Sequence, residues 1–383
     1  MTQNRIIERV LKIDLPANRS AFLWGPRKTG KTTLLRQQFS EACWIDLLDF
    51  DLFLRLSQKP TQLRQILEAQ PAKTVVVDEV QKIPQLMDEV HWLIENRGYR
   101  FILSGSSARK FKRGKVNLLG GRAWRFELYP LVTRELKPFD LEKAFISGLM
   151  PPHYFSPDSR VELKAYVHDY LREEIQAEAL SRNIPAFSRF LLSAAVANGM
   201  LFNYSNAARD AGVAVRTIRE YYQILEDTLL GRQLPPWRKA KNRRLIETAK
   251  FYFFDVGVVS SLLGYTALVP GTKEYGRAFE HFIIQECWAY RHYSRSDFPM
   301  SFWRTASGSE VDLILGEADV AIEIKSGEDV EGRTKGLHLF LEEQKCQKAF
   351  IVSREPLPRK LTPKITALPW QVFCEMLWAG EII

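Results

Sequence analysis

The octet Gly25-Pro-Arg-Lys-Thr-Gly-Lys-Thr32 constrains this chain more than any other stretch. It follows the short apolar run Ser20–Trp24, which reads as a buried strand, and precedes a helical pattern over Thr33–Phe39. Every position fits G-x-x-x-x-G-K-[ST]. The glycines let the backbone curl so that successive N–H groups face a phosphate, and the helix N-terminus adds partial positive charge. Lys31 is spaced to reach the β- and γ-phosphates, and the hydroxyl of Thr32 to bind Mg²⁺. Gly25, Pro26, Arg27, Lys28, Thr29, Gly30, Lys31, Thr32 and Thr33 are therefore the expected ATP-binding residues. A glycine turn opening a basic helix is the bland alternative, and the strand before and helix after disfavour it.

Lys73–Glu79 is a β-branched run ending in two acids, as a central parallel strand would be. Ligands of such sheets sit beyond the carboxyl ends of the strands, where these acids fall. Asp78 is expected to hold the Mg²⁺ water shell and Glu79 to polarise the attacking water. The next strand, Arg100–Ser104, runs into Gly105-Ser-Ser107. A polar side chain there suits the sensor role of AAA+ proteins, and spacing does not choose between Ser104 and Ser106. Arg122, in the turn Leu119-Gly-Gly-Arg122 before the strand Trp124–Tyr129, is either a trans-acting finger on a neighbour's nucleotide or a surface arginine.

The phosphate loop, Val-Val-Asp-Glu-Val-Gln81, Leu-Ser-Gly-Ser-Ser107, Gly-Gly-Arg122 and Phe-Glu-Leu-Tyr-Pro-Leu131 together resemble a large family of prokaryotic AAA+ ATPases. Its members carry a C-terminal domain of uncharacterised function, and the likeness runs along nearly the whole chain. The resemblance implies an ATPase core that assembles into a homo-oligomer, a hexameric ring among the arrangements.

A length of 383 residues suggests two or three domains, and 46% hydrophobic with 26% charged residues is ordinary for a globular protein. The formal charge of +9 favours polyanionic partners such as nucleic acid. The four cysteines, Cys43, Cys287, Cys346 and Cys374, show neither zinc-ligand spacing nor a disulfide framework. With no apolar signal segment and no run long enough to span a bilayer, a cytoplasmic protein is expected.

Pro151-Pro152 and Ser156-Pro157 suggest a boundary, and Val161–Leu180 reads as a long amphipathic helix. Tyr204–Val213 and Ala214–Leu225 form a helix–turn–helix pattern with Gly212 at the turn. Its second helix offers Arg216, Thr217 and Arg219, where recognition helices contact DNA. The basic stretch that follows includes Arg238, Lys239, Lys241, Arg243 and Arg244 around Trp237, and falls where a β-wing would sit. Protein-binding modules share such patterns, so DNA is one of two partners the stretch allows.

In the last third, a helix from Gly276 to about Tyr290 carries Glu280. Strands Glu310–Leu315 and Val320–Lys325 then flank a four-residue turn. A hairpin pairing Leu315 with Val320 sets Asp312 opposite Glu323, and places Glu323 and Lys325 on one face. Two facing carboxylates need a cation, a proton or Lys325 itself. This spacing resembles the PD-(D/E)XK nuclease core, although Val311 rather than proline precedes the first acid. The resemblance implies that Glu280, Asp312 and Glu323 bind Mg²⁺ and that Lys325 helps orient the attacking water. Such domains also survive as binding modules, so cleavage does not follow from the fold. His338, on the next helix, reads as a packed or surface residue.

The architecture expected is α/β: a P-loop AAA+ core over 1–135, a helical and winged-helix middle over 136–249, and a restriction-endonuclease-like domain over 250–383. The function expected is an ATP- and Mg²⁺-dependent ATPase acting on DNA. The alternative is a nucleotide-dependent switch whose C-terminal domain binds a protein partner.

Overall fold

The computed structural model describes residues 7–109, 111, 119–170, 183–239, 245–330, 332 and 334–383. The chain divides into two units, one of residues 1–131 with Asp227–Leu230, the other of residues 132–226 and 231–383.

The first unit is built on five parallel strands: β1 (Ser20–Trp24), β2 (Cys43–Asp46), β3 (Thr74–Asp78), β4 (Arg100–Gly105) and β5 (Ala123–Glu127), in the order β2-β3-β4-β1-β5. β1 and the apolar part of β3 are buried on both faces, so their continuous apolar runs suit a sheet covered on both sides. Phe22, Trp24, Val75, Val77, Phe101 and Leu103 supply one face of the core. Helices α1 (Lys31–Gln38), α2 (Phe50–Gln58), α3 (Gln62–Glu68) and α4 (Leu86–Arg97) connect the strands. β1 lies between β4 and β5, so the loop after it opens at the carboxyl edge of the sheet, beside the end of β4. This is the crevice position of open parallel sheets.

The second unit begins with short helices. Pro151 and Pro152 open the helix Pro151–Phe155, so they start an element instead of marking a boundary. Their fixed φ and missing N–H suit a first helical turn. The helix expected from Val161 starts at Ser159, becomes a π-helix over Tyr166–Tyr170, and its remainder lies outside the described residues.

Three helices follow: Ile184–Val196, Tyr204–Ala211 and Val215–Asp227. Asn203 caps the second by accepting from Asn206 N, and Gly212 ends it at φ 68°. An antiparallel ribbon of β6 (Gly231–Leu234) and β7 (Lys250–Phe253) comes next, with Leu201 bridged to Lys250 on its other side.

The helix Lys273–Tyr293 is buried nearly all round from Phe282 to Tyr290. A six-stranded sheet stands after it, in the order β12-β13-β11-β10-β9-β8: β8 (Met300–Arg304), β9 (Glu310–Leu315), β10 (Val320–Ile324), β11 (Lys348–Ser353), β12 (Arg359–Lys360) and β13 (Ile365–Pro369). β8, β9 and β10 are antiparallel neighbours, whereas β11 runs parallel to β10 after the helix Lys335–Glu343.

Residues 136–249 and 250–383 thus share one unit. β6 pairs with β7 across the expected boundary, and the connection between them is hydrogen-bonded to β8 through Trp237 N to Phe302 O (2.6 Å) and Ile246 N to Arg304 O (2.9 Å). Among the described residues no helix is long and apolar enough to cross a membrane.

Candidate active site

β1 ends at Trp24 and the loop returns at Gly30, whose φ of 94° only glycine adopts without strain. α1 then begins at Lys31, which is 5% exposed, with Nζ bonded to Gly25 O at 2.8 Å and Pro26 O at 3.1 Å. Thr29 is fully buried and donates its hydroxyl to Pro26 O at 2.8 Å, while Arg27, Lys28 and Thr33 are exposed. The loop is braced from behind by Arg9, which donates to Thr29 O (2.6 Å) and Tyr129 O (2.7 Å). Sequence reading missed Arg9, since an arginine so far upstream carries no motif.

Asp78 gathers three donors. Thr32 Oγ1 donates to its Oδ2 at 2.6 Å, and Oδ1 accepts from Glu79 N at 3.1 Å and from Ser104 Oγ. The phosphate-loop threonine, the strand-end acid and one of the two candidate serines, Ser104, therefore meet. Ser106, the other sensor candidate, accepts from Gln81 Nε2 at 3.1 Å, and the same nitrogen donates to Glu79 Oε2. Arg122 lies elsewhere. Its carbonyl accepts from Ser20 N at the start of β1, the end of the sheet away from the loop, and its guanidinium pairs with Glu95. Within its own chain it is not part of this cluster.

Residues 17–137 match the family model described as AAA domain. The first unit is an AAA-type P-loop ATPase core. Two domains of unknown function match beyond it, DUF8612 over 138–268 and DUF4143 over 275–373. The uncharacterized protein Rv2008c of Mycobacterium tuberculosis is 28% identical over 304 residues, 76% of this chain and 66% of its own length, so the chain spans just under two thirds of that relative. The uncharacterized protein MJ1544 of Methanocaldococcus jannaschii is 23% identical over 177 residues, covering 44% of this chain and 38% of that one. Among solved structures, the Walker-type ATPase of Pyrococcus abyssi aligns with 63% of this chain and 90% of its own at 14% identity, with a TM-score of 0.40.

The AAA-type core binds nucleotide, and its oxygen donors suit the metal that accompanies one. Thr32 Oγ1 and Asp78 Oδ2 are hard ligands held side by side at the loop, the donor chemistry Mg²⁺ takes.

In the second unit, the hairpin has the expected register. Leu315 faces Val320, and the ladder runs to Leu313 opposite Ile322, one step before Asp312 and Glu323. Asp312 (7% exposed) accepts from Ile324 N at 2.7 Å. Lys325 Nζ lies 2.5 Å from Glu323 Oε1 and 3.7 Å from Asp312 Oδ2, so the lysine offsets one of the two facing charges. Burial and then the charge of Asp312 push the Glu323 carboxyl up to about 8, against the pull of Lys325.

Glu280 feels the charge of Asp312, and its hydrogen bonds go to the neighbouring strand β7. Its Oε1 accepts from Lys250 Nζ at 3.0 Å and from Tyr252 Oη at 2.5 Å, and Lys250 also reaches Glu310 at 2.6 Å. Among the described residues no group of three or more His, Cys, Asp or Glu side chains is disposed to hold a metal ion. In this structure each of the acids expected to bind Mg²⁺ is paired with an amine, Glu280 with Lys250, and Asp312 and Glu323 with Lys325. Burial works to discharge Lys250, but Glu280, Tyr252, Asp312 and Glu310 hold it well above the usual lysine value. Sequence reading took Lys250 only as the first residue of an apolar strand; a charge heading such a run was the available signal. His338 is exposed, as a surface histidine would be.

On the helix pair, the Arg216 side chain is 90% exposed and 3.3 Å from Glu220, while Arg219 lies over the Tyr204 ring at 5.0 Å. Thr217 is half-buried and Arg238 exposed. Lys241, Arg243 and Arg244 lie outside the described residues. The basic stretch is not a free wing at its start. Trp237 is 7% exposed and packs against Phe340, and Lys239 pairs with Glu317 in the β9–β10 turn.

Proposed function

We propose that the protein couples ATP hydrolysis in its AAA-type core to action on DNA, branched or recombination and repair intermediates being the substrates that suit an oligomeric ATPase. Lys31 neutralises the β- and γ-phosphates, Thr32 and Asp78 hold Mg²⁺, Glu79 polarises the water, and Ser104 sits beside them at the end of β4. Bound Mg²⁺ would offset charge on the phosphate oxygens. Arg122 serves a neighbouring copy, which requires it to leave Glu95 for a nucleotide in trans.

One observation carries the DNA reading: the second helix of a tight helix pair presents Arg216 and Arg219 to solvent from its first turns. The order of three helices and an antiparallel ribbon, with Leu201 bridged to the ribbon, supports a winged-helix reading. A helix, three antiparallel strands, a helix and a strand parallel to the third support the PD-(D/E)XK-like reading of the last third. With Lys250 and Lys325 among its acids, that domain grips a partner.

The test is ATP turnover by wild type and Glu79→Gln with linear, single-stranded and branched DNA. Stimulation by one DNA form, lost in Glu79→Gln, supports the proposal. Turnover indifferent to every DNA favours the second reading, a nucleotide-dependent switch that binds a protein. The anchoring of Trp237 and Lys239 in the sheet gives that reading its own support, since it withdraws part of the basic stretch from DNA.

A further inference from the structure

Glu79 leaves β3 in a left-handed conformation (φ 57°), and its backbone N–H is tied to Asp78. Its carboxylate is held by a residue with no role in the phosphate-loop motif. Gln81, in the 3₁₀ turn Val80–Lys82, is 4% exposed, and its Nε2 bonds both Glu79 Oε2, at 2.5 Å, and Ser106 Oγ, at 3.1 Å. The orientation of the amide is fixed by charge. Turned round, its oxygen would face a carboxylate oxygen with no proton between them. In this orientation Gln81 Oε1 is buried, and among the described residues it has no hydrogen-bond partner. The side chain thus forgoes one bond to keep its nitrogen on Glu79 and Ser106.

The fold also reserves room for it. A Cβ on residue 105 would stand 2.1 Å from Gln81 Oε1 and 2.8 Å from the Trp24 ring, so glycine is required at Gly105. Ser104 and Ser106 are alternate residues at one strand end, where side chains two apart point the same way. Ser104 reaches Asp78 directly, and Ser106 reaches Glu79 through the Gln81 amide.

We infer that Gln81 is a positioning residue for ATP hydrolysis, setting the carboxylate of Glu79 and linking it through Ser106 to the end of β4. This rests on the reading of Glu79 as the group that polarises the water. A displacement at the β4 end, where the γ-phosphate would be felt, then reaches Glu79 through one amide.

The experiment compares steady-state ATP turnover and binding of a fluorescent ATP analogue in the full chain for wild type, Glu79→Gln, Gln81→Ala, Gly105→Ala and Glu79→Gln/Gln81→Ala. Gln81→Ala is expected to lower kcat between about tenfold and about a hundredfold, the scale of a small misplacement of a reacting group. KM and analogue affinity should stay within about twofold, because the bonds removed join Gln81 to Glu79 and Ser106 and none is to the nucleotide. Gly105→Ala crowds the same amide while leaving Gln81 itself in place, and should reproduce the loss, which covers the case that Gln81→Ala does not fold. Added to Glu79→Gln, Gln81→Ala should cost nothing more in single-turnover rate. The inference is overturned if both single variants keep wild-type kcat while Glu79→Gln loses it. It is equally overturned if the Gln81→Ala loss persists in the Glu79→Gln background, or if affinity falls as far as kcat. Wild-type turnover by Glu79→Gln would instead defeat the reading of Glu79 itself.

Discussion

Lys250 Nζ lies 3.0 Å from Glu280 Oε1, joining the ribbon strand β7 to the long helix Lys273–Tyr293 through a lysine whose side chain is 3% exposed. The ammonium is needed where it is. Glu280 and Glu310 both turn to it, and removing it leaves Glu280 with the Tyr252 hydroxyl as its remaining bond and Glu310 with Arg304.

Lys250→Met should therefore destabilise the protein by about 3–5 kcal/mol, the usual cost of stranding a buried charge. Urea denaturation followed by tryptophan fluorescence measures it. Lys250→Met/Glu280→Gln should recover part of the loss, since it removes one stranded charge along with its partner. A single variant as stable as wild type would show that the acids relax to water without the lysine.

Turnover in the AAA-type core should depend on Lys31 and Glu79 in different ways. Lys31→Ala should abolish nucleotide binding and hydrolysis together, because in the proposed role its charge neutralises the phosphates. Glu79→Gln should lower kcat by about 10²–10⁴, the range for general base catalysis, while nucleotide still binds. Calorimetric titration with a non-hydrolysable ATP analogue separates the two.

DNA affinity, if carried by the helix pair, should weaken with salt. Arg216→Ala/Arg219→Ala should reduce the slope of log K against log salt by about 2, roughly one for each arginine withdrawn from a phosphate. Fluorescence anisotropy with labelled duplex at several salt concentrations is the readout. An unchanged slope would move the DNA-binding surface away from this helix.

The pH dependence of the second unit follows from Glu286. It is fully buried, and accepts from Thr133 N (2.9 Å), Thr133 Oγ1 (2.7 Å) and Trp378 Nε1 (2.8 Å), with no ion pair among the described residues. Burial outweighs those bonds and raises its carboxyl from the ordinary 4.5 to about 7. A raised carboxyl means that the folded state binds the extra proton. The stability it contributes is full below about pH 4.5 and is lost as pH rises through about 7. That loss is on the order of 3 kcal/mol. Asp255, raised by burial to about 6, acts in the same direction. Denaturation midpoints between pH 5 and pH 8 should therefore fall more steeply in wild type than in Glu286→Gln.

How much of this was legible depended on whether a residue's role is local. The phosphate loop, the acids of β3 and the Leu315–Val320 hairpin are set by neighbours in sequence, and spacing alone placed them. Ser104 and Ser106 could not be told apart, because what separates them is which acid lies across the sheet. Gln81 and Lys250 were invisible as site residues for a related reason. Each acts across a gap of 25 residues or more, to Ser106 and to Glu280, and no periodicity records such a partner. The prolines at 151 and 152 misled because a residue that breaks a helix interior also suits a first helical turn.

The hydrogen bonds from the ribbon connection to β8 bear on where this chain can be cut. A fragment ending near residue 249 would keep β6 but lose its partner β7, and would leave Trp237 without Phe340 to cover it. A fragment starting there would expose the outer edge of β8, where Phe302 and Arg304 now meet the ribbon connection, as an open template for other strands. The smallest piece of the second unit with closed edges on that side therefore includes the helix pair, the ribbon and the sheet together.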